Sequence, residues 1–109
     1  MLVLAFTLAI SACNKDDNKT PIADVDCTTV TFSGTMSNLI TTNCGDSGCH
    51  GAGSTNGEFN TYEKIKVIAD NGKLANRVLD RQDMPLGGSL TSNELGQIQC
   101  WLDAGAPDN

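Results

Sequence analysis

The chain has 109 residues and a formal net charge of −6, a length that suits one small domain. The acidic balance disfavours nucleic acid as a partner, because phosphate backbones bind proteins through lysine and arginine. Three Phe, one Tyr and one Trp stand against eleven glycines, so the apolar core is thin. Domains this small usually need a disulfide, a metal or a cofactor to become stable.

The first predicted element is an export segment. Residues 1–12 are free of charged side chains and are shorter than the roughly 20 residues that span a bilayer as a helix. They end in small residues, as signal segments do. The motif Ile10-Ser11-Ala12-Cys13 is similar to a bacterial lipobox, so we expect residues 1–12 to be a signal segment and Cys13 to carry a lipid. A general secretory signal with a chance cysteine is the alternative.

Residues 13–26 are predicted to be a lipid-anchored flexible tether, because the stretch 14–21 is polar and rich in charge. The Lys-Asp-Asp run at 15–17 resembles the surface-export signal of some Gram-negative lipoproteins. Together these features predict an outer-membrane or cell-surface lipoprotein that faces the periplasm or the exterior of a Gram-negative cell. That compartment is oxidising, so structural cysteines are expected to be in disulfides.

The remaining residues, 27–109, are predicted to form one all-α domain of three to four short helices. Positions 25–32 are rich in β-branched residues and are expected to be extended. A first helix is expected over about 35–43, because its apolar residues recur at helical spacing. These residues are Met36, Leu39 and Ile40.

A stretch rich in glycine, 45–59, follows the first helix and is predicted to be a loop that lies close to other atoms. Asn60 and Glu63 fit a capping box, which predicts a second helix over about 61–70 that ends at Gly72. A further short helical stripe consists of Leu74, Val78 and Leu79.

The last helix is predicted over about 92–104, where Thr91 and Glu94 fit a second capping box. Gly105 and Pro107 are expected to end it. The residues expected to face inward are Leu95, Ile98, Trp101 and Leu102.

A cofactor signal lies between the first two helices, in Cys44-Gly-Asp-Ser-Gly-Cys49-His50, which contains the only histidine. In a haem c site two cysteines bind the haem and the histidine after the second cysteine binds its iron. The usual spacing has two residues between the cysteines, whereas here there are four. The insert 45–48 has glycines on both sides of two turn-forming residues, so a bulge is sterically easy. We therefore predict one covalent haem c on Cys44 and Cys49, with His50 as an iron ligand.

A six-coordinate iron needs a second axial ligand, and the chain has no second imidazole. Met84 is the candidate, because it lies in a loop that Pro85 stiffens and because a thioether stabilises ferrous iron. The competitor is Met36, whose helical spacing is that of an ordinary core residue.

The stretch from about Phe32 to Pro107 resembles the small cytochrome c domains of bacterial exported lipoproteins. The matching residues are Cys44, Cys49, His50, Asn60-Thr61-Tyr62-Glu63, Met84-Pro85-Leu86-Gly87-Gly88, Leu90, Glu94 and Trp101-Leu102-Asp103-Ala104-Gly105-Ala106-Pro107. The resemblance implies a small cytochrome c-like fold around one haem, with His50 as the proximal and Met84 as the distal ligand. The first and last helices approach each other in that fold, which is consistent with a disulfide between Cys27 and Cys100.

By this resemblance the chain is a membrane-tethered monohaem electron carrier and not an enzyme. A redox protein donor and a redox protein acceptor would be its partners, in brief contacts. Two alternatives stay open. One is a haem-bound ligand sensor or peroxidase-like protein with an open distal site, and the other is a haem-free, disulfide-stapled binding lipoprotein.

Smaller alternatives concern single residues. Cys44 and Cys49 could form a local disulfide with a chance histidine beside it, or a zinc site that takes a further cysteine. Arg77 and Arg81 are expected either to lie on a solvated helix face or to pair with haem propionates.

Overall fold

The computed structural model describes residues 19–46, 49–86 and 90–109, and within these ranges the chain is helical and contains no strand. The predicted all-α class is confirmed for this part of the chain. The α-helices are α1 (Ser37–Asn43), α2 (Tyr62–Asp70) and α3 (Ser92–Asp103). Two π-helical segments, Phe32–Met36 and Ala75–Asp80, and a 3-10 turn, Cys27–Thr29, complete the fold.

The predicted signal segment 1–12 and the predicted lipid site Cys13 lie outside the described residues. In the described part of the chain, no helix has both the length and the apolar character needed to cross a bilayer. Residues 20–25, which we call the strap, lie on the first turns of α3. Ala23 N donates to Ser92 O at 3.1 Å, and a Cβ added at Gly96 would clash with Ala23 O. The strap therefore passes directly over the backbone of α3.

The extended stretch predicted over 25–32 is interrupted by the 3-10 turn, which corrects that prediction. The side chain of Asp26 caps the turn by accepting from Thr28 N at 3.0 Å. Such local bonds between a side chain and the backbone compete with strand formation. Asp26 before the turn, and Val30 and Thr31 after it, keep extended backbone angles.

The first helix begins earlier than predicted, because Thr31 caps it. Thr31 Oγ1 accepts from Gly34 N at 3.0 Å, and Met36 N donates to Thr31 O at 3.1 Å, a bond of π-helical spacing. The π-helical segment then runs into α1 without a break. Met36 has no exposed surface, which confirms that it is a core residue.

α2 begins at Tyr62, one residue after the predicted start, because its cap is Thr61 rather than Asn60. Thr61 Oγ1 accepts from Lys64 N at 3.3 Å, whereas Asn60 Oδ1 accepts from Lys64 Nζ at 3.1 Å. The predicted Asn60–Glu63 box is therefore wrong by one position. Threonine caps helices nearly as well as asparagine, so the two neighbours were hard to separate by residue type. Gly72, at φ +81°, follows the end of the helix as predicted.

The capping box predicted for α3 is confirmed. Glu94 N donates to Thr91 Oγ1 at 3.1 Å, and Thr91 N donates to Glu94 Oε1 at 3.0 Å. At the other end Ala106 N donates to Trp101 O at 2.9 Å, with Gly105 at φ +90°, which is a Schellman motif. This geometry explains why Gly105 ends α3 as predicted, since glycine adopts positive φ without steric cost.

The core lies where α3 packs against the two π-helical segments. Its most deeply buried side chains are Trp101, Met36, Leu95 and Ile98. Leu102, predicted to face inward, is only partly buried. Trp101 Nε1 donates to Pro107 O at 2.9 Å and Tyr62 OH donates to Ala106 O at 2.7 Å, so the residues after α3 close over the core.

A disulfide joins Cys27 to Cys100, the pairing considered from the sequence. It connects the 3-10 turn to α3 across a sequence separation of 73 residues. Closing a loop of that length removes enough entropy from the unfolded chain to stabilise the fold by roughly 4 kcal/mol. This is a large contribution for a domain with a thin core.

Candidate functional site

The loop after α1 folds back on its own carbonyl groups. Cys49 N and Gly51 N both donate to Asp46 O, at 2.8 and 3.0 Å. His50 N donates to Cys44 O at 3.0 Å, which brings the histidine backbone to the end of α1, where Cys44 is the C-cap. Cys44 and Cys49 are free thiols, and both are partly buried. The three residues predicted for haem attachment therefore share one closed loop.

The glycines of this loop act in two ways. Gly51 is buried, and a Cβ there would lie 2.8 Å from Gly45 O and 3.0 Å from Asp46 O. This is the close approach that was predicted for the stretch rich in glycine. Gly53 and Gly57 instead allow the chain to turn, at φ +79° and +99°.

The imidazole of His50 is oriented by two contacts. Its Nδ1 lies 2.9 Å from Gly57 O, and its ring stacks on Phe59 with centroids 3.9 Å apart and planes 11° apart. Because a carbonyl oxygen only accepts, Nδ1 carries the proton and the lone pair of the neutral ring lies on Nε2. Histidines that bind metals are commonly oriented in this way, through a hydrogen bond from the other ring nitrogen.

The thiol of Cys44 is held in its protonated form. Burial, and to a lesser extent the nearby Cys49 and Glu94, raise the pKa of Cys44 to about 11. The zinc alternative takes a further cysteine as a ligand, and it is weakened because Cys27 and Cys100 are bonded to each other and so are not ligands. In the ranges that the structure describes, no three His, Cys, Asp or Glu side chains are grouped to hold a metal ion. Positions 47–48 of the predicted insert lie outside these ranges.

Met84 lies on a second loop, the Met84 loop, whose described residues are 81–86, and it is partly buried against the hydrophobic core. Arg77 O accepts from Asp83 N at 3.0 Å and from Met84 N at 3.3 Å. The peptide bond between Met84 and Pro85 is cis. The loop is therefore tied to the π-helical segment that precedes it.

Two arginines pair with one carboxylate of the same loop. Arg77 Nε donates to Asp83 Oδ1 at 2.7 Å, and Arg81 Nε lies 3.3 Å from Asp83 Oδ2. The Arg77 guanidinium holds the pKa of Asp83 below its ordinary value. Both arginines therefore pair with the carboxylate of Asp83. The sequence suggested either a solvated helix face or haem propionates for them, and this pairing is a third arrangement.

Sequence reasoning missed the two groups that orient His50. Gly57 acts through its carbonyl, and a backbone acceptor has no residue type that would identify it. Phe59 lies just before a helix, where an aromatic residue is ordinarily part of the core. Only the glycine content of the loop indicated that its backbone approaches other atoms closely.

The side chains that the structure describes at these positions are of the chemical types that a covalent haem requires. Cys44 and Cys49 are free, the lone pair of His50 lies on Nε2, and Met84 is packed at the edge of the core. Comparison of the chain with known protein families, with curated proteins and with solved structures found no match. The resemblance to cytochrome c domains therefore rests on the motifs of the sequence and on the chemistry of these side chains.

Proposed function

We propose that the chain is a membrane-tethered monohaem cytochrome c that carries single electrons between redox proteins outside the cytoplasm. The main support is the orientation of His50, whose Nδ1 is bonded to Gly57 O on the same loop as two free thiols. Cys44 and Cys49 would hold the haem through thioether bonds, and His50 and Met84 would be the axial ligands. A haem bound there supplies the one-electron couple of its iron.

Residues of the chain would set the environment of the haem iron. The hydrogen bond to Gly57 O keeps His50 in one tautomer and raises its basicity as a ligand. The ring of Phe59 fixes the plane of the imidazole. A methionine thioether stabilises ferrous iron relative to a second imidazole, so Met84 would raise the reduction potential.

The proposed partners are a redox protein donor and a redox protein acceptor. Encounters of this kind are weak and typically bury less than about 1,200 Å². The net charge of −6 favours partners with basic surfaces. A lipid on Cys13 would confine the search for these partners to the outer membrane or the cell surface.

Haem attachment is tested on the mature chain, with Cys13→Ser to avoid lipidation, exported to the periplasm of cells that contain cytochrome c maturation machinery. We expect the intact mass to rise by one haem that survives acid extraction, with sharp absorption bands in the reduced state. The control is a Cys44→Ser, Cys49→Ser double variant, which should contain no covalent haem.

A colourless protein without added mass would contradict the proposal. The disulfide between Cys27 and Cys100 would then be the main covalent feature of the described domain, and the haem-free binding lipoprotein would become the better description.

A further inference from the structure

We infer that the strap, residues 20–25, positions the Met84 loop through Gln82. The link is a pair of hydrogen bonds between the side-chain amide of Gln82 and the backbone of Thr20. The inference rests on the proposed function, because it assumes that Met84 is an iron ligand. It assigns a positioning role, and not a ligand role, to the strap and to Gln82.

The amide of Gln82 binds both polar backbone groups of Thr20. Thr20 N donates to Gln82 Oε1 at 2.8 Å, and Gln82 Nε2 donates to Thr20 O at 2.7 Å. The two residues are 62 positions apart in the sequence, and both bonds are partly buried. One side chain thus fixes the strap to the loop that contains Met84.

Gln82 also occupies an unusual backbone conformation. Its φ is +53°, in the left-handed region that residues other than glycine rarely adopt. It stands between the π-helical segment Ala75–Asp80 and Met84, only two positions before the methionine. A strained residue at such a junction persists only when its surroundings hold it, and the bonds to Thr20 provide part of that support.

The strap is itself fixed to α3, so it can hold the Met84 loop in place relative to that helix. Ala23 N donates to Ser92 O at 3.1 Å, and Ser92 Oγ donates to Pro21 O at 2.5 Å. Just after the strap, the disulfide from Cys27 holds the chain to the same helix. Positional restraint is thus transmitted from α3 through the strap to Gln82.

Without this link the Met84 loop is still tied to Arg77, through the two bonds to the Arg77 carbonyl and the ion pair with Asp83, and Met84 still packs on the core. Fluctuations that move the loop away from Arg77 would then occur more often. Two neutral hydrogen bonds of ordinary strength correspond to a change of about thirtyfold in such an equilibrium, and one such bond to about fivefold.

The test compares the protein with Gln82→Asn. Asparagine tolerates positive φ and keeps an amide, but it is one methylene shorter and cannot make both bonds to Thr20. The matched control is Gln99→Ala, which removes an amide that bonds to Asp103 on the exposed side of α3. A second variant, Gly96→Ala, displaces the strap at Ala23 without altering the loop.

Two readouts are used. The first is hydrogen exchange of the Asp83 and Met84 amides, which does not depend on haem. We expect it to be about five- to thirtyfold faster in Gln82→Asn than in the control. The second is the constant for displacement of the methionine ligand by added imidazole in the oxidised haem protein, which we expect to rise by a similar factor. Gly96→Ala should move both readouts in the same direction.

Exchange rates and imidazole constants within twofold of the control would overturn the inference. Faster exchange with unchanged imidazole binding would also overturn it, because the link would then be structural only. Failure of haem attachment is a different result, because it would contradict the proposed function. The exchange rates of the haem-free protein would still show whether the strap holds the loop.

Discussion

The ring of His50 lies flat on the ring of Phe59, with centroids 3.9 Å apart and an interplanar angle of 11°. The two residues are also linked through the backbone, since Phe59 N donates to His50 O at 2.8 Å. The histidine is therefore fixed in position by its main chain and in orientation by its ring. A haem ligand needs both, because the plane of the imidazole and the direction of Nε2 are set together.

Replacing Phe59 by alanine should release the imidazole. Phe59 is partly buried, so we expect the free energy of unfolding to fall by about 1–3 kcal/mol. The Nδ1 proton of His50 should also exchange faster with solvent, because the ring no longer holds the bond to Gly57. Urea denaturation and the imidazole proton signals in NMR spectra measure the two effects.

Phe59→Tyr keeps an aromatic face and is the control for that experiment. It should retain both the stability and the slow proton exchange of the original protein. If Phe59→Ala left the Nδ1 proton as well protected as Phe59→Tyr does, stacking would not contribute to the orientation of His50.

Met84→Ala should remove the sixth ligand from a haem-loaded protein. We expect loss of the weak long-wavelength band of methionine ligation and a fall in the reduction potential, since the thioether that stabilises ferrous iron is gone. Visible spectroscopy and a redox titration measure these changes. Met36→Leu is the control, because Met36 is fully buried in the core and leucine has a similar volume.

An unchanged spectrum and potential in Met84→Ala would show that another group, or none, occupies the sixth position. The ligand sensor or peroxidase-like protein with an open distal site would then be favoured over the electron carrier.

The protonation of Cys44 predicts how stability depends on pH before haem attachment. Folding raises the pKa of this thiol from 9.0 to about 11, so the folded state favours the protonated form. This contribution to stability is fully present below pH about 9 and is lost as the pH rises to about 11. Urea denaturation of the haem-free protein across this range should show the decrease.

Cys44→Ala should lack that part of the pH dependence, because it has no thiol to ionise. Alkylation offers a second check, since Cys44 should react more slowly in the folded protein than in urea at the same pH. Equal alkylation rates in the two states would show that burial does not protect the thiol.

Local rules predicted the helices well and the site only in part. The Thr91–Glu94 box was found because a reciprocal cap depends on two residue types at a fixed spacing. At α2 two good capping residues are adjacent, and the choice of Thr61 over Asn60 depended on Lys64 and Glu58 drawing the Asn60 side chain away. Composition could not show this competition, because it involves groups on both sides of the helix start.

The contacts that build the site are long-range or involve the backbone, which explains why residue patterns did not predict them. The link between Gln82 and Thr20 joins residues 62 positions apart and depends on the path of the strap over α3. The acceptor for His50 is the carbonyl of Gly57, which any residue could have supplied. Cys44, Cys49 and His50, by contrast, were visible because their chemistry depends on residue type and spacing.

Gly51→Ala tests whether the closed loop holds His50 in place. The added Cβ would lie 2.8 Å from Gly45 O and 3.0 Å from Asp46 O, both of them backbone atoms that cannot move alone. The loop must therefore open, and we expect a loss of about 1–3 kcal/mol in the free energy of unfolding, as for other overpacked sites. The fraction of protein that acquires covalent haem should fall as well, because Cys49 and His50 adjoin the glycine.

Gly53→Asn is the matched control for Gly51→Ala. Its added side chain meets open space, and asparagine tolerates the φ of +79° at that position. Urea denaturation and intact mass should therefore change little in this variant. If Gly51→Ala were as stable and as fully loaded as Gly53→Asn, the backbone around Gly51 would be free to shift, and the orientation of His50 would depend on Gly57 and Phe59 alone.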